Sequence, residues 1–100
     1  MGTECRVKCH ARPGLFEDEM VVTLVTLDAN GARTEAECLA YGESVTDQGE
    51  PDKSGERSAI LHAHCLGEKD DVVAVVLPQS TFQNGPSVII PRSEIDVLPA

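Results

Sequence analysis

The chain is poor in aromatic residues: it has no tryptophan, one tyrosine and two phenylalanines among 100 residues. Its hydrophobic core must therefore be built from valine, leucine, isoleucine and alanine. Such a core suits a compact sheet or a narrow barrel whose interior leaves little room. The same shortage leaves almost no aromatic surface on which nucleic-acid bases, sugars or polyproline could stack.

Long apolar runs are missing as well. No segment approaches the roughly 18 apolar residues that a membrane-spanning helix needs. The first residues also lack the apolar stretch of a secretory signal peptide. We therefore expect a cytoplasmic protein without membrane association, whose four cysteines stay reduced. Its length predicts a single domain over residues 1–100.

Basic residues are in the minority, with 8 lysines and arginines against 17 acidic residues and a net charge of -9. A protein that binds nucleic acid usually presents a large basic face to the phosphates. The composition therefore disfavours nucleic-acid binding. An acidic surplus of this size mainly favours solubility.

Catalytic motifs are absent from the sequence. It contains no nucleophile elbow, phosphate-binding loop, dinucleotide-binding glycine motif or zinc-protease motif. The adjacent pairs Cys9–His10 and His64–Cys65 would point to opposite faces of a strand, so neither forms a cysteine–histidine dyad. The sequence predicts a protein without enzymatic activity.

The sequence does contain a series of short strand patterns separated by turn signals. Asn30-Gly31 is a strong hairpin signal, and no segment shows a sustained helical period. These patterns predict an all-β fold of six or seven short strands, either a small barrel or a two-sheet sandwich. The predicted strands cover residues 5–12, 20–27, 32–41, 58–66, 72–77, 87–90 and 96–98.

A long polar segment separates the third and fourth predicted strands. Residues 42–57 carry seven charges, and Val45 is their only aliphatic side chain. Since nothing here is expected to pack, the segment is predicted to be a mobile loop. It either serves only as a connection or acts as a lid or partner-binding loop.

The last part of the chain resembles the end of an SH3 domain. That family ends with a glycine-led strand, an apolar-proline step, a 3₁₀ turn and a short closing strand, and Ile90-Pro91, Ile95 and Leu98 match its apolar positions. The resemblance implies an SH3-like barrel. It does not imply polyproline binding, because Glu94 stands where the ligand-binding tyrosine would be.

Four basic side chains share one face of the first predicted strand. Because side chains alternate along a strand, every second residue of this segment projects to the same side. This cationic stripe either balances acidic residues through cross-strand pairs and protects a sheet edge, or binds an acidic ligand or nucleic acid. It consists of Arg6, Lys8, His10 and Arg12.

Two histidines share a face of the fourth predicted strand. His62 and His64 would stand roughly 6.6 Å apart along the backbone, close enough to bind one divalent metal ion. In such a metal site, Glu35 or Glu37 would be the third ligand. The alternative is a solvated strand face on which the two imidazoles pair with nearby acids. Cysteines are unsuitable ligands here, because those at positions 5 and 9 would lie about 13 Å apart, so we expect buried, inert thiols.

The leading functional hypothesis is a non-catalytic binding or regulatory module that acts through protein–protein contacts. Its candidate surfaces are the cationic stripe and the loop 42–57. One alternative is a metal-binding protein that uses His62 and His64, which would make a divalent metal its only cofactor. The other is a protein that binds an acidic ligand or nucleic acid through the basic strand 6–12.

Overall fold

The structure is a computed structural model that describes residues 3–79, 81 and 85–97. These residues form eight β-strands and two short 3₁₀ turns, so the predicted all-β fold is confirmed. No helix in the described part of the chain is long and apolar enough to cross a membrane. The strands are β1 (Thr3–Pro13), β2 (Glu19–Leu27), β3 (Arg33–Tyr41), β4 (Val45–Thr46), β5 (Arg57–Lys69), β6 (Val72–Val76), β7 (Ser87–Pro91) and β8 (Ile95–Val97); the turns are Gly42–Ser44 and Arg92–Glu94.

All strands belong to one antiparallel sheet. Its order is β3-β2-β1-β5-β6-β7, while β4 pairs with β5 and β8 pairs with β1. The sheet is strongly curled into a half-barrel, as a small β-barrel requires, and this favours the barrel over the two-sheet sandwich. A single bridge between Cys38 and Thr81 ties β3 to the connection between β6 and β7. Leu98, which belongs to the last predicted strand and to the SH3-like motif, lies outside the described residues.

The core consists of small side chains on the concave side of the sheet. Leu61, Ile90 and Val7 are among its largest fully buried members, and alanine and cysteine fill positions between them. Neither Phe16 nor Tyr41 contributes to it. Small inward side chains let opposite parts of the curled sheet come close together, which is what a narrow barrel interior needs.

The strand β2 is buried on one face only. Its continuous apolar sequence favours coverage on both faces, but only Val22, Leu24 and Thr26 are buried, whereas Val21 and Val25 remain half-buried. Within the described residues there is no long helix or second sheet to cover the outer face. The apolar run therefore leaves aliphatic side chains at the surface.

The Asn30-Gly31 hairpin is confirmed, with a longer connection than the dipeptide alone requires. The ladder between β2 and β3 ends at Leu27 and Arg33. The Asp28 carboxylate accepts hydrogen bonds from the backbone N–H groups of Asn30 and Ala32, both at 2.9 Å. Gly31 has a φ of 79°, a conformation that a side chain would disfavour.

The polar segment 42–57 is partly built into the sheet. Val45 is only 3% exposed and pairs with Leu61, so the expectation that nothing here packs is wrong for this residue. Hydrogen bonds from Ser54 and from the Glu56 N–H close a turn around Asp52 and lower the pKa of its carboxyl group. The mobility of the segment stays a prediction.

The placement of the core predicts unequal effects for two leucines on β5. Leu61→Ala should lower the free energy of unfolding by about 2–5 kcal/mol, because it leaves a cavity in a fully buried site. Leu66→Ala should change it by no more than about 0.5 kcal/mol, because that side chain is exposed. Urea denaturation measures both, and equal losses would contradict the assigned strand faces.

Candidate binding site

The site begins at a fork in the pairing of β1. On one side β1 pairs with β5 continuously from Thr3 to Ala11. On its other side β2 pairs with residues 10–13, whereas β8 pairs with Arg6 and Val7. Lys8 lies between these two ladders, so β2 and β8 diverge beside it.

A cleft of about 550 Å³ opens over this fork on the outer face of the sheet. Val25 of β2 and Ile60 of β5 give it aliphatic walls. Its charged groups come from β1, β3, β8, the polar segment and the second 3₁₀ turn. They are Arg6, Lys8, Glu35, Asp47, Glu94 and Asp96, with His10 beside them.

Arg6 is bound by acids on both sides of the cleft. Its guanidinium group donates to the carboxylate of Asp47 in the segment 42–57. Its Nε atom lies 3.6 Å from the Asp96 carboxylate of β8. The arginine therefore joins the polar segment to the last strand and is not a free cation.

Arg12 and His10 also face acids. Arg12 donates to Glu37 at 3.0 Å and lies 4.0 Å from Glu56. His10 lies 3.9 Å from the same Glu56 side chain. These contacts agree with the interpretation of the stripe as a charge-balancing face. The edge-protection interpretation is wrong, because β1 is an interior strand.

Lys8 differs from the rest of the stripe. It is exposed and forms no ion pair with any residue that the structure describes. The other three stripe residues each lie beside at least one carboxylate. One unpaired cation therefore remains at the cleft.

The cleft as a whole is acidic. Four carboxylates line it against two permanent cations, which gives a net charge of -2 with His10 neutral. Glu35 is exposed and has no ion-pair partner in the described part of the chain. The net charge of the cleft has the same sign as the net charge of the whole chain. Both charges therefore attract cations to the cleft.

The structure brings together the two surfaces that the sequence marks separately. Asp47 and Glu56 of the segment 42–57 contact three residues of the stripe. Neither Ile60 nor Asp96 is among the candidate residues that the sequence predicts. Alternation could have marked Ile60, since it shares the outward face of β5 with His62; Asp96 gives no such signal.

His62 and His64 share the outer face of β5 as predicted, but their surroundings do not resemble a metal site. The ring nitrogens of His62 lie 2.9 Å from Glu4 Oε1 and 2.7 Å from Thr46 Oγ1. Glu35 and Glu37 are wrong as third ligands, because β2 and β1 separate β3 from β5. Among the described residues no three metal-ligating side chains come together.

The order hydroxyl, imidazole, carboxylate at His62 also occurs in hydrolases. The Glu4 side chain, however, is 65% exposed, so solvent screens the carboxylate that would have to orient and charge the imidazole. We interpret the contacts as a tie that links β1, β5 and β4 through Glu4, His62 and Thr46.

Three cysteines are unsuited to nucleophilic chemistry. Burial, with a smaller effect of the neighbouring Cys38, raises the pKa of Cys9 to about 12. Burial, followed by the charges of Cys65 and Glu4, raises the pKa of Cys5 to about 11, and burial raises that of Cys38 to about 11. All three therefore stay protonated at neutral pH.

The raised thiol pKa values predict a loss of stability in alkali. The pKa of Cys9 is higher in the fold than its ordinary value of 9.0. Its contribution to stability is therefore complete below pH 9 and is lost as the pH rises through the folded value. In urea unfolding from pH 8 to 11, Cys9→Ala should lose less stability than the wild type. Cys65→Ala, at a half-buried site, is the control, and parallel curves for wild type and Cys9→Ala would contradict the assignment.

The tie at His62 predicts no hydrolytic activity. With p-nitrophenyl acetate as substrate, wild type and His62→Gln should differ by less than about two-fold, because solvent screens the Glu4 carboxylate and it therefore gives the imidazole little support as a base. His64→Gln is the matched control on the same strand face. A loss of 10²-fold or more that is specific to His62→Gln would reveal a catalytic base.

Comparison of the chain with protein-family models, curated proteins and solved structures gives no match.

Proposed function

We propose that the chain is a non-catalytic binding module that acts through protein contacts, with the cleft over the β1 fork as its binding site. The observation that carries this proposal is the convergence of seven parts of the fold on one aliphatic-walled, charged cleft. The volume, about 550 Å³, accommodates a few side chains of a partner.

The cleft favours a partner segment with basic and aliphatic side chains. Glu35 offers an unpaired carboxylate, and the net charge of -2 attracts cations. Val25 and Ile60 offer apolar contact beside it. Lys8 adds specificity, because it repels a basic group that is placed in the wrong register and donates a hydrogen bond to a backbone carbonyl or a carboxylate in the right one.

The small β-barrel further supports an SH3-like module. The strand β7, the turn Arg92–Glu94 and the strand β8 follow one another where the SH3 resemblance expects them. We propose that this barrel recognises its partner by charge and aliphatic contact, since the aromatic groove of the family is missing.

The alternative of an acidic ligand or nucleic acid has less support. It needs four available cations, but Arg6, His10 and Arg12 already lie beside carboxylates. A phosphate or carboxylate would have to displace these pairs inside an acidic cleft. The metal alternative retains only His62 and His64 as ligands.

Titration with two short peptides tests the proposal. A Lys-Val-Lys-Val-Lys peptide should shift the backbone amide resonances of the cleft residues in a saturable way, whereas Glu-Val-Glu-Val-Glu should not. Raising the salt concentration should weaken the binding, because the attraction is between exposed charges.

Charge reversal within and outside the cleft provides the control. Glu35→Lys should weaken binding of the basic peptide about three-fold or more, since it reverses an unpaired cleft charge without breaking an ion pair. Glu50→Lys makes the same change in the segment 42–57, at a residue that does not line the cleft. Equal losses for both variants, or preferential binding of the acidic peptide, would refute a cation-binding cleft.

A further inference from the structure

Two of the three aromatic residues of the chain lie on its surface. Among the described residues, no aromatic side chain belongs to the core. Phe16 is 70% exposed and Tyr41 is 48% exposed; Leu15, which precedes Phe16, is 86% exposed. None of the three lines the cleft over the fork. We call the turn that carries Leu15 and Phe16, together with Tyr41 at the adjacent end of β3, the hairpin tip.

Backbone hydrogen bonds hold this tip in one shape. The N–H of Gly14 donates to the Glu19 carbonyl at 2.8 Å, and the N–H of Glu19 donates to the Phe16 carbonyl at 3.1 Å. The Glu19 side chain accepts from the N–H of Leu15 at 3.1 Å. A larger residue at position 14 would clash, because a Cβ atom on Gly14 would come within 2.8 Å of Glu19.

Tyr41 belongs to the same end of the barrel. It pairs with Glu19 in the ladder between β2 and β3. The next residue, Gly42, donates its N–H to the Asp18 carbonyl at 3.2 Å. The turn that carries Leu15 and Phe16 is thus hydrogen-bonded to the end of β3. The exposed apolar residues therefore lie on backbone that is held by hydrogen bonds.

Acidic residues lie next to these apolar residues along the chain. Glu17, Asp18 and Glu19 follow Phe16 directly, and Glu43 lies beside Gly42. Glu17, Asp18 and Glu43 are exposed and form no ion pair with another described residue. Exposed aromatic residues bordered by unneutralised acids match the aromatic-rich centre and polar rim of a protein interface, and the exposed leucine adds apolar area to it.

We propose that the hairpin tip inserts into an apolar pocket of a protein partner whose rim is basic. The acidic rim argues against the other occupants of an exposed apolar surface. A membrane with anionic lipids repels it. A second copy of the chain brings the same acids and a net charge of -9 to the contact, and only Lys8 of its cationic stripe lacks a carboxylate partner among the described residues. The proposal concerns a different surface from the cleft and does not depend on it.

Site-specific cross-linking tests this proposal in the cells that express the protein. The photoreactive residue p-benzoylphenylalanine replaces Phe16 in one variant and Lys53, an exposed residue of the segment 42–57, in the control. We expect a protein adduct that forms from position 16 and not from position 53. The cross-linked peptide of the partner should lie in an apolar pocket bordered by lysine or arginine.

The purified pair then distinguishes a specific contact from adventitious capture. Leu15→Ser with Phe16→Ser should weaken binding at least about ten-fold, because it removes two large apolar contacts. Leu66→Ser, which changes another exposed leucine on β5, should leave affinity unchanged. Glu17→Lys with Asp18→Lys keeps the apolar side chains and should weaken binding several-fold. Urea midpoints establish that all variants remain folded.

Four results would overturn the proposal. In the cross-linking experiment they are adducts no more frequent at position 16 than at position 53, and an adduct between two copies of the chain. The third is sedimentation of the protein with lipid vesicles that the double serine variant abolishes. The fourth is tighter partner binding after charge reversal at Glu17 and Asp18. The peptide titration of the cleft is unaffected by any of these results, so the two surfaces fail or succeed separately.

Discussion

The fold depends on the position of β1 at the centre of the curled sheet. Its inward side chains, Cys5, Val7, Cys9 and Ala11, are all buried, and their small size lets β5, β2 and β8 close around one strand. The alternation that buries them also places four basic residues on the outer face. A central strand cannot turn these charges towards a free edge. Neighbouring elements must supply the compensating acids, and the segment 42–57, β3 and β8 do so.

The fork beside Lys8 also results from the central position of β1, because three strands pair with it. One side of β1 cannot pair over its full length with β2, because β8 must also pair with Arg6 and Val7. The strands that diverge leave a gap, and the charged residues on their outer faces line it. The cleft is therefore a consequence of how the strands pair around β1, rather than of an insertion into the sheet.

The sequence predicted what depends on local pattern. Alternation gave the faces of β1 and β5, Asn30-Gly31 gave the hairpin, and Pro91 with the following residues gave the 3₁₀ turn before β8. The sequence did not predict what depends on pairing between distant strands. Placing Glu35 and Glu37 beside His62 failed because strand order is not encoded in the spacing of any one strand. The burial of Val45 was missed for the same reason, since a single valine in a polar segment becomes a strand only when β5 pairs with it.

The two proposed surfaces would contribute different amounts of binding free energy. An exposed ion pair contributes about 0–1 kcal/mol, so the acidic cleft and rim give modest affinity and mainly accelerate the approach of a basic partner. Burial of one large apolar side chain contributes about 1.5–3 kcal/mol, so Leu15 and Phe16 can outweigh several such pairs. Salt weakens the first contribution and leaves the second largely intact.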